Sequence, residues 1–437
     1  MTVCTREKML FPDVKGRKVE FNFNGGNISS DAGSLLLRQA EKKINLLSRI
    51  AAKLPDNRDP SKVEHTNLEL LKQRVFGLAL GYEDLNDHHA LCHDQLFQTA
   101  IEKDKRAASS ATLCRFENRA ERATTIIAHE MMFKVFVESF DVAPEELFLD
   151  FDATDDEIHG NQIGKYFHGY YGHYCFLPLH VYCKDHLLVS YLRTSDCDGA
   201  KHSLAILSLL VKNIRKVWPS VKIIFRSDSG FCRHKLFKWC ERTGVFYITG
   251  LSSNKVLQRK SAKFYKKSAK KFSLSGEDQQ IFGTMKYGAK SWKKKRKVVL
   301  KAEYNKHGSN LRYVVTNLKD SAEDLYKKVY CGRGNMENGI KMVKVQLFAE
   351  RTSCHEWYPN QFRVILSSLA YVLMTAIRRI ALKDTKLVAA EINTLRLKLF
   401  KIGAVVVRNT RRVKAMLSSS FPNKALFIRV VESLSPT

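Results

Sequence analysis

Leu147-Phe148-Leu149-Asp150-Phe151-Asp152 and Val221-Lys222-Ile223-Ile224-Phe225, the second continuing into Arg226-Ser227-Asp228-Ser229-Gly230, decide how this chain folds. Each is a short apolar run rich in aromatic or β-branched residues, the pattern of a buried strand. Each also delivers carboxylates. Asp150 and Asp152 lie two apart, so both side chains point to one face of their strand. Asp228 follows the second run directly, at the C-terminal end of a strand, where ligands gather in open α/β sheets. A single such aspartate is ordinarily a turn residue or a helix cap. On neighbouring strands of one sheet, such acids can together hold Mg²⁺, which takes oxygen ligands and keeps waters for substrate phosphates.

Working outward, 176–182 and 186–192 read as two further strands separated by a turn at Lys184-Asp185. Residues 200–217 place apolar side chains at 204, 207, 210, 211 and 214, a helical spacing. A helix over 234–242 and a strand over 245–249 follow. The order β-β-β-α-β-α-β suits an α/β layer with a mixed sheet. Upstream, 1–145 read as mostly helical: a strand over 18–24 closed by Gly25-Gly26, a helix from Ser29-Ser30-Asp31 towards Lys43, and another over 67–80. The stretch 108–119 reads either as the second helix of a helix-turn-helix, presenting Arg115, Asn118 and Arg119 to DNA, or as a plain surface helix.

The 437-residue chain carries 73 Lys and Arg against 44 Asp and Glu, a net charge of +29. Such a balance points to a polyanionic partner, nucleic acid or an acidic membrane surface. The longest nearly apolar run, 364–377, falls short of the ~20 residues that span a bilayer and reads as a buried helix. The stretch Met1–Arg17 mixes charges and lacks an apolar signal core, so export is not expected. Ten scattered cysteines form no C-x-x-C pair, which favours reduced core thiols over zinc. Nucleic acid is therefore the expected partner.

The charge is concentrated. Residues 251–302 hold 16 Lys and Arg against two acids, Glu277 and Asp278, with Lys293-Lys294-Lys295-Arg296-Lys297 at the centre of the second of two clusters. A solvated basic loop is one reading. The interleaved Phe264, Tyr265, Tyr287 and Trp292 favour another, because cations bind phosphates while aromatic faces stack on bases. The segment ends in β-rich pieces over 297–303 and 312–316. A long helical region begins near Gly334, and the tail from Gln361 is helical and basic.

That helical region supplies a third acid. Tyr330, Arg333, Glu337 and Lys344 stand at offsets that fall on one narrow face at ~100° per residue. A carboxylate flanked by two cations and a phenol suits a site that binds both metal and phosphate. Gly332, Gly334 and Gly339 are poor helix formers, which leaves Tyr330 and Arg333 on the helix's approach.

With these segments assembled, the chain resembles bacterial DDE transposases of insertion sequences, specifically the insertion-sequence 1380 family. The resemblance rests on L-D-F-D-A-T-D-D-E-I-H-G (149–160), Y-F-H-G-Y-Y (166–171), R-S-D-S-G-F (226–231), R-Y-V-V-T-N-L (312–318) and C-G-R-G-N-M-E-N (331–338). It extends to R-V-F-G-L-A-L-G-Y-E-D-L-N (74–86), E-R-T-S-C (350–354) and N-Q-F-R (360–363). Tyr330, Arg333, Glu337 and Lys344 meet the group's Y-x2-R-x3-E-x6-K signature. Gly339, where the family carries Arg, and Met342, near which it carries an acid, depart from the pattern.

The resemblance implies an RNase H-like mixed-sheet catalytic core over 146–250 and 326–360, a basic β-rich insertion over 251–325, a DNA-binding region over 1–145 and a helical C-terminal region over 361–437. Its D-x-T motif selects Asp152 over Asp150, so Asp152, Asp228 and Glu337 become the expected triad. It would hold two Mg²⁺ ions about 4 Å apart, or Mn²⁺, for cleavage and strand transfer. Arg333 and Lys344 are expected at phosphates and Tyr330 at the strand. Lys293, Lys294, Lys295, Arg296, Arg115 and Arg119 are expected on DNA. Trp292 either stacks on a flipped base or is buried in the insertion. Expected partners are double-stranded DNA, as transposon ends and target, and a second copy in a synaptic complex, in a bacterial cytoplasm and with no membrane. An RNase H-fold nuclease without strand transfer and an inactive DNA-binding repressor are the alternatives.

Overall fold

The structure, a computed structural model, describes residues 9–435; Cys4 and the first part of the Met1–Arg17 stretch lie outside the described residues. Packing divides the chain into two units. One comprises 118–372. The other joins the described residues through Glu117 to those from Leu373 onward. The expected boundaries at 145 and 361 thus differ from the observed ones. The helix Arg122–Glu138, α1, lies in the 118–372 unit because Phe136 is buried in that unit's core.

The 118–372 unit is built on one eight-stranded sheet. Its strands are β1 (Glu146–Ala153), β2 (Leu179–Cys183), β3 (His186–Tyr191), β4 (Lys222–Ser227), β5 (Phe246–Leu251), β6 (Gln279–Tyr287), β7 (Arg296–Asn305) and β8 (Gly308–Thr316). Their order is β6-β7-β8-β5-β4-β1-β2-β3. β4 runs parallel to β1 and β5, and every other pairing is antiparallel. The parallel crossovers contain α2 (Ser203–Val217) and α3 (His234–Thr243).

Alternation along the strands sorts the two faces. Leu147, Leu149, Phe151, Ile223, Phe225 and Tyr247 point into the larger core, where Leu207, Leu210, Val211 and Ile214 of α2 and Leu236, Phe237 and Cys240 of α3 meet them. The opposite face carries Phe148, Ile224 and Ile248, packed with Leu325, Tyr326 and Tyr330. Asp150 and Asp152 share that second face with Phe148.

The insertion is not β-rich from its start. Its first basic cluster is a 21-residue helix, α4 (Lys255–Ser275), capped by the Asn254 side chain accepting from Val256 N and Leu257 N. Leu257, Ser261 and Ser268 form its buried stripe, and Ser261 Oγ lies 2.8 Å from Tyr313 Oη. The three strands that follow extend the main sheet from β5.

In the other unit, the helix Asn67–Leu80 opens with a Thr66/Glu69 capping box. The tail is helical only in part: Ala404–Arg408 and Val413–Leu417 form a hairpin whose first strand pairs with Ile28–Ser29. The stretch read as a helix-turn-helix contains a helix, Ser110–Asn118, but residues 101–109 separate it from the preceding helix Gln95–Ala100. That connection is longer than the motif's 3–4-residue turn. The run 364–377 lies within the helix Trp357–Ala381, long and apolar enough to cross a membrane but mostly buried inside the protein.

Candidate active site

Strand register brings the first two acids together. Phe151 on β1 is the partner of Ser227 on β4, so one further step places Asp228 beside Asp152. One step back, Asp150 is the partner of Arg226. Their side chains form a buried two-bond ion pair: Arg226 Nε donates to Asp150 Oδ1, and Nη2 to Oδ2 at 2.7 Å. Arg226 Nη1 also donates to the Val329 carbonyl at 2.5 Å, and its guanidinium lies 4.9 Å from the Phe148 ring centre. Asp150 is thus committed to an ion pair. Asp152 lies at the strand's end with its carboxylate partly exposed.

Asp228 accepts from Gly230 N at 2.9 Å, closing the turn after β4. The neighbouring strand contributes a glycine. A Cβ on Gly250 would come within 2.7 Å of Ser229 N and 2.8 Å of Tyr330 Oη. Absence of a side chain there lets Tyr330 close down on the turn that carries Asp228.

Glu337 arrives on a helical run that covers this end of the sheet. The sequence reading starts that helix near Gly334. In the structure, helical backbone extends from Ala322 to Gln346, through a π-helical turn over Leu325–Tyr330, a 3₁₀ turn over Cys331–Arg333, α5 (Gly334–Lys341) and a second π turn over Met342–Gln346. Such π insertions recur at functional sites. Tyr330 and Arg333 therefore sit within the run rather than on its approach. At Gly339 a Cβ would lie 2.8 Å from the Tyr182 ring.

Arg333 binds two of the three acids. Its Nη1 donates to Asp152 Oδ2 at 2.9 Å, and its Nη2 donates to Glu337 Oε1. Burial pushes the Asp152 carboxyl up to about 6, aided by the charges of Asp228 and Glu337 and opposed by Arg333. Asp152 thus feels the charges of both other acids, with the guanidinium compensating part of them.

Beside this group lies a second one, in which Lys344, expected at a phosphate, is paired with acids that the sequence reading did not single out. Lys344 Nζ donates to Asp155 Oδ1 at 2.9 Å, and His173 Nε2 lies 3.1 Å from Asp155 Oδ2. Asp156 is buried, accepts from Thr352 Oγ1 at 3.0 Å, and is pushed up to about 8 by burial. The run Asp152-Ala-Thr-Asp155-Asp156 was the available signal.

Three carboxylates offer the oxygen donors that a hard cation requires, and Asp152, Asp228 and Glu337 would hold it. Among the described residues no three His, Cys, Asp or Glu side chains are close enough to hold a metal as they stand. Arg333 spans two of the acids and supplies positive charge beside them.

The basic segment divides. Lys293, Lys294 and Lys295 are exposed. Arg296 is not a free surface cation: it is 4% exposed, its Nε and Nη2 donate to Glu241 at 2.8 and 3.1 Å, and it stacks on Phe237 and Trp292. Trp292 is half-buried, edge-on to Tyr287 of the insertion and to Phe237 of α3, and packs against the main core. Arg115 is exposed on its helix and donates to Thr112 Oγ1 at 3.2 Å. Arg119 is also exposed.

No curated protein sequence matches the chain. Among solved structures, it is similar to a piggyBac transposase in a synaptic complex with hairpin DNA, at 12% identity and a TM-score of 0.40, covering 85% of this chain and 80% of that one. The family described as transposase DDE domain group 1 matches residues 11–437, so essentially the whole length of the chain belongs to that family.

Proposed function

We propose that this chain is the transposase of a bacterial insertion sequence of the 1380 type, and that it binds its element's terminal inverted repeats and catalyses metal-dependent DNA cleavage and strand transfer. The observation that carries this reading is the gathering of Asp152, Asp228 and Glu337 around Arg333. A mixed sheet with two acids at adjacent parallel strands, a third on the covering helical run and extra strands entered between the second and third supports an RNase H-like core.

Asp152, Asp228 and Glu337 would hold Mg²⁺, or Mn²⁺ in its place. Ions of that kind supply activation of an attacking oxygen and stabilisation of a leaving one in phosphoryl displacement. Arg333, bonded to Asp152 and Glu337, would lie beside a backbone phosphate held at the acids. Tyr330, seated over Gly250, fixes the approach to Asp228. The exposed lysines at 293–295 and along α4 bind the duplex without sequence preference. Two ends must be joined, so the working form is a dimer in the bacterial cytoplasm.

Supplying precut ends tests the reading against a nuclease. The full chain, given DNA that bears the inverted repeats flanking its coding frame and ends in a 3′-hydroxyl, should join those ends to a target plasmid in Mg²⁺. Cleavage of uncut ends without joining would replace the proposal with the nuclease reading.

A further inference from the structure

We propose that Asp155, oriented by His173, is a positioning residue: it fixes where the Lys344 ammonium meets a phosphate of the DNA strand at the carboxylates. The inference rests on the transposase reading and deepens it.

The two cations of the helical run differ in what holds them. Arg333 presents a planar fork and spans Asp152 and Glu337 by itself. Lys344 carries a point charge on a flexible four-carbon stem, and it sits in the π turn Met342–Gln346. Such a side chain takes a defined place only where a partner holds it. Asp155 is that partner, accepting from Lys344 Nζ at 2.9 Å on Oδ1. The carboxylate is itself fixed, because Oδ2 lies 3.1 Å from Nε2 of His173, on the separate strand His173–Phe176. An ionised carboxylate only accepts, so His173 donates. Tyr171 stacks on the His173 ring, with centroids 6.0 Å apart and 21° between the planes.

The pair suits the reaction better than a plain tie between segments. Against burial, the bond and charge of Lys344 hold the Asp155 carboxyl below its ordinary value. The anchor thus stays ionised, whereas Asp152 and Asp156 are raised. Asp155 takes one of the three ammonium donors, which leaves two for phosphate oxygens, and the Lys344 side chain is 23% exposed. Its place is also right. Asp155 follows Asp152 closely in the chain, and burial together with the charges of both pushes the Tyr171 phenol up to about 12. Lys344 lies beyond Glu337 by about two helical turns, roughly 10 Å along the same face of the run.

The test uses the full chain and DNA bearing the flanking inverted repeats. It measures end affinity without divalent metal and the single-turnover cleavage rate in Mg²⁺ at saturating protein. Asp155→Asn removes a negative charge and the anchor together. It should bind the ends at least as tightly as wild type yet cleave about tenfold more slowly, within the ~100-fold that a 1 Å misplacement can cost. Lys344→Ala should be slower still, and adding Asp155→Asn to it should change the rate by less than about twofold, because Asp155 acts through Lys344. His173→Gln, which keeps a donor for Oδ2, should retain the rate that His173→Ala loses; this comparison leaves Asp155 in place and decides the matter should Asp155→Asn fold poorly. A wild-type rate in Asp155→Asn, or a full further loss in the double variant, would overturn the inference. So would weakened end binding with a lowered melting temperature in both Asp155→Asn and His173→Gln, the mark of a structural tie. Absence of cleavage by wild type would overturn the transposase reading itself.

Discussion

Asp150 and Asp152 stand two residues apart on one face of β1, yet the structure gives their carboxylates opposite energetic roles, and substitution should separate them. Asp150 is 2% exposed and Arg226 7%. Asp150→Asn leaves the guanidinium buried without its counter-charge, with the Val329 carbonyl and a single amide oxygen as close acceptors and an amide NH2 facing it in place of the second carboxylate oxygen. Removing one partner of a buried pair costs about 3–5 kcal/mol. For a unit of this size each kcal/mol moves the melting temperature by roughly 2–4 °C, so the 118–372 unit should melt about 10 °C lower. Replacing both partners, Asp150→Leu with Arg226→Met, removes the unpaired charge and should recover most of that loss. At Asp152 the raised carboxyl shows that the fold favours the neutral form, so Asp152→Asn should melt no lower than wild type. Scanning calorimetry of the full-length variants reads all three. A normal melt for Asp150→Asn together with a large drop for Asp152→Asn would refute the assignment.

Three further outcomes follow from the same geometry. Arg333→Gln removes the charge that spans Asp152 and Glu337, worth about 3 kcal/mol for two charges near 5 Å apart at an effective dielectric of ~20. Mn²⁺ binding to the DNA-free protein, followed by calorimetric titration, should therefore tighten by about tenfold or more; unchanged affinity would contradict the bridging role. The Asp156 carboxyl is raised to about 8, so its folded state holds a proton that the unfolded state has released above its ordinary value. Its contribution to stability is full at low pH, is lost as pH rises from about 4 to about 8, and is flat beyond. Asp156→Asn should flatten that decline in urea denaturation, and an unaltered pH profile would refute it. Arg296→Ala should lower the melting temperature because it removes a buried guanidinium that bonds Glu241 and packs on Phe237 and Trp292, leaving Glu241 with Lys294 and Tyr247. Lys293→Ala and Lys295→Ala should instead leave the melt unchanged and reduce the salt dependence of DNA binding, by about one unit of slope for each phosphate no longer neutralised.

The sheet's centre was legible because β1 and β4 are short apolar runs that end in acids, and no helical period competes with them. Asn67–Leu80 was legible from its helical pattern. α4 was hidden because two positions of its buried stripe are Ser261 and Ser268, which erase the apolar period while satisfying Tyr313 and the helix's own carbonyls. The run from Ala322 to Gln346 was obscured by glycines that serve close packing: a Cβ at Gly332 would meet Arg226, and one at Gly339 would meet Tyr182. The triad's identity came from the family resemblance, since alternation alone leaves Asp150 and Asp152 equivalent. The pairing of Asp150 with Arg226 and of Asp152 with Arg333 distinguishes them physically. Asp155 and Asp156 escaped notice because adjacent acids after a strand read as a solvated turn, whereas here Lys344, His173 and Thr352 hold them.

The most direct test takes DNA bearing the flanking inverted repeats and measures Mg²⁺-dependent end cleavage by wild type and by Asp152→Ala, Asp228→Ala and Glu337→Ala, with DNA binding measured on the same samples. Each variant should bind the ends as wild type does and leave them uncut; cleavage retained by any one of the three would contradict the assignment.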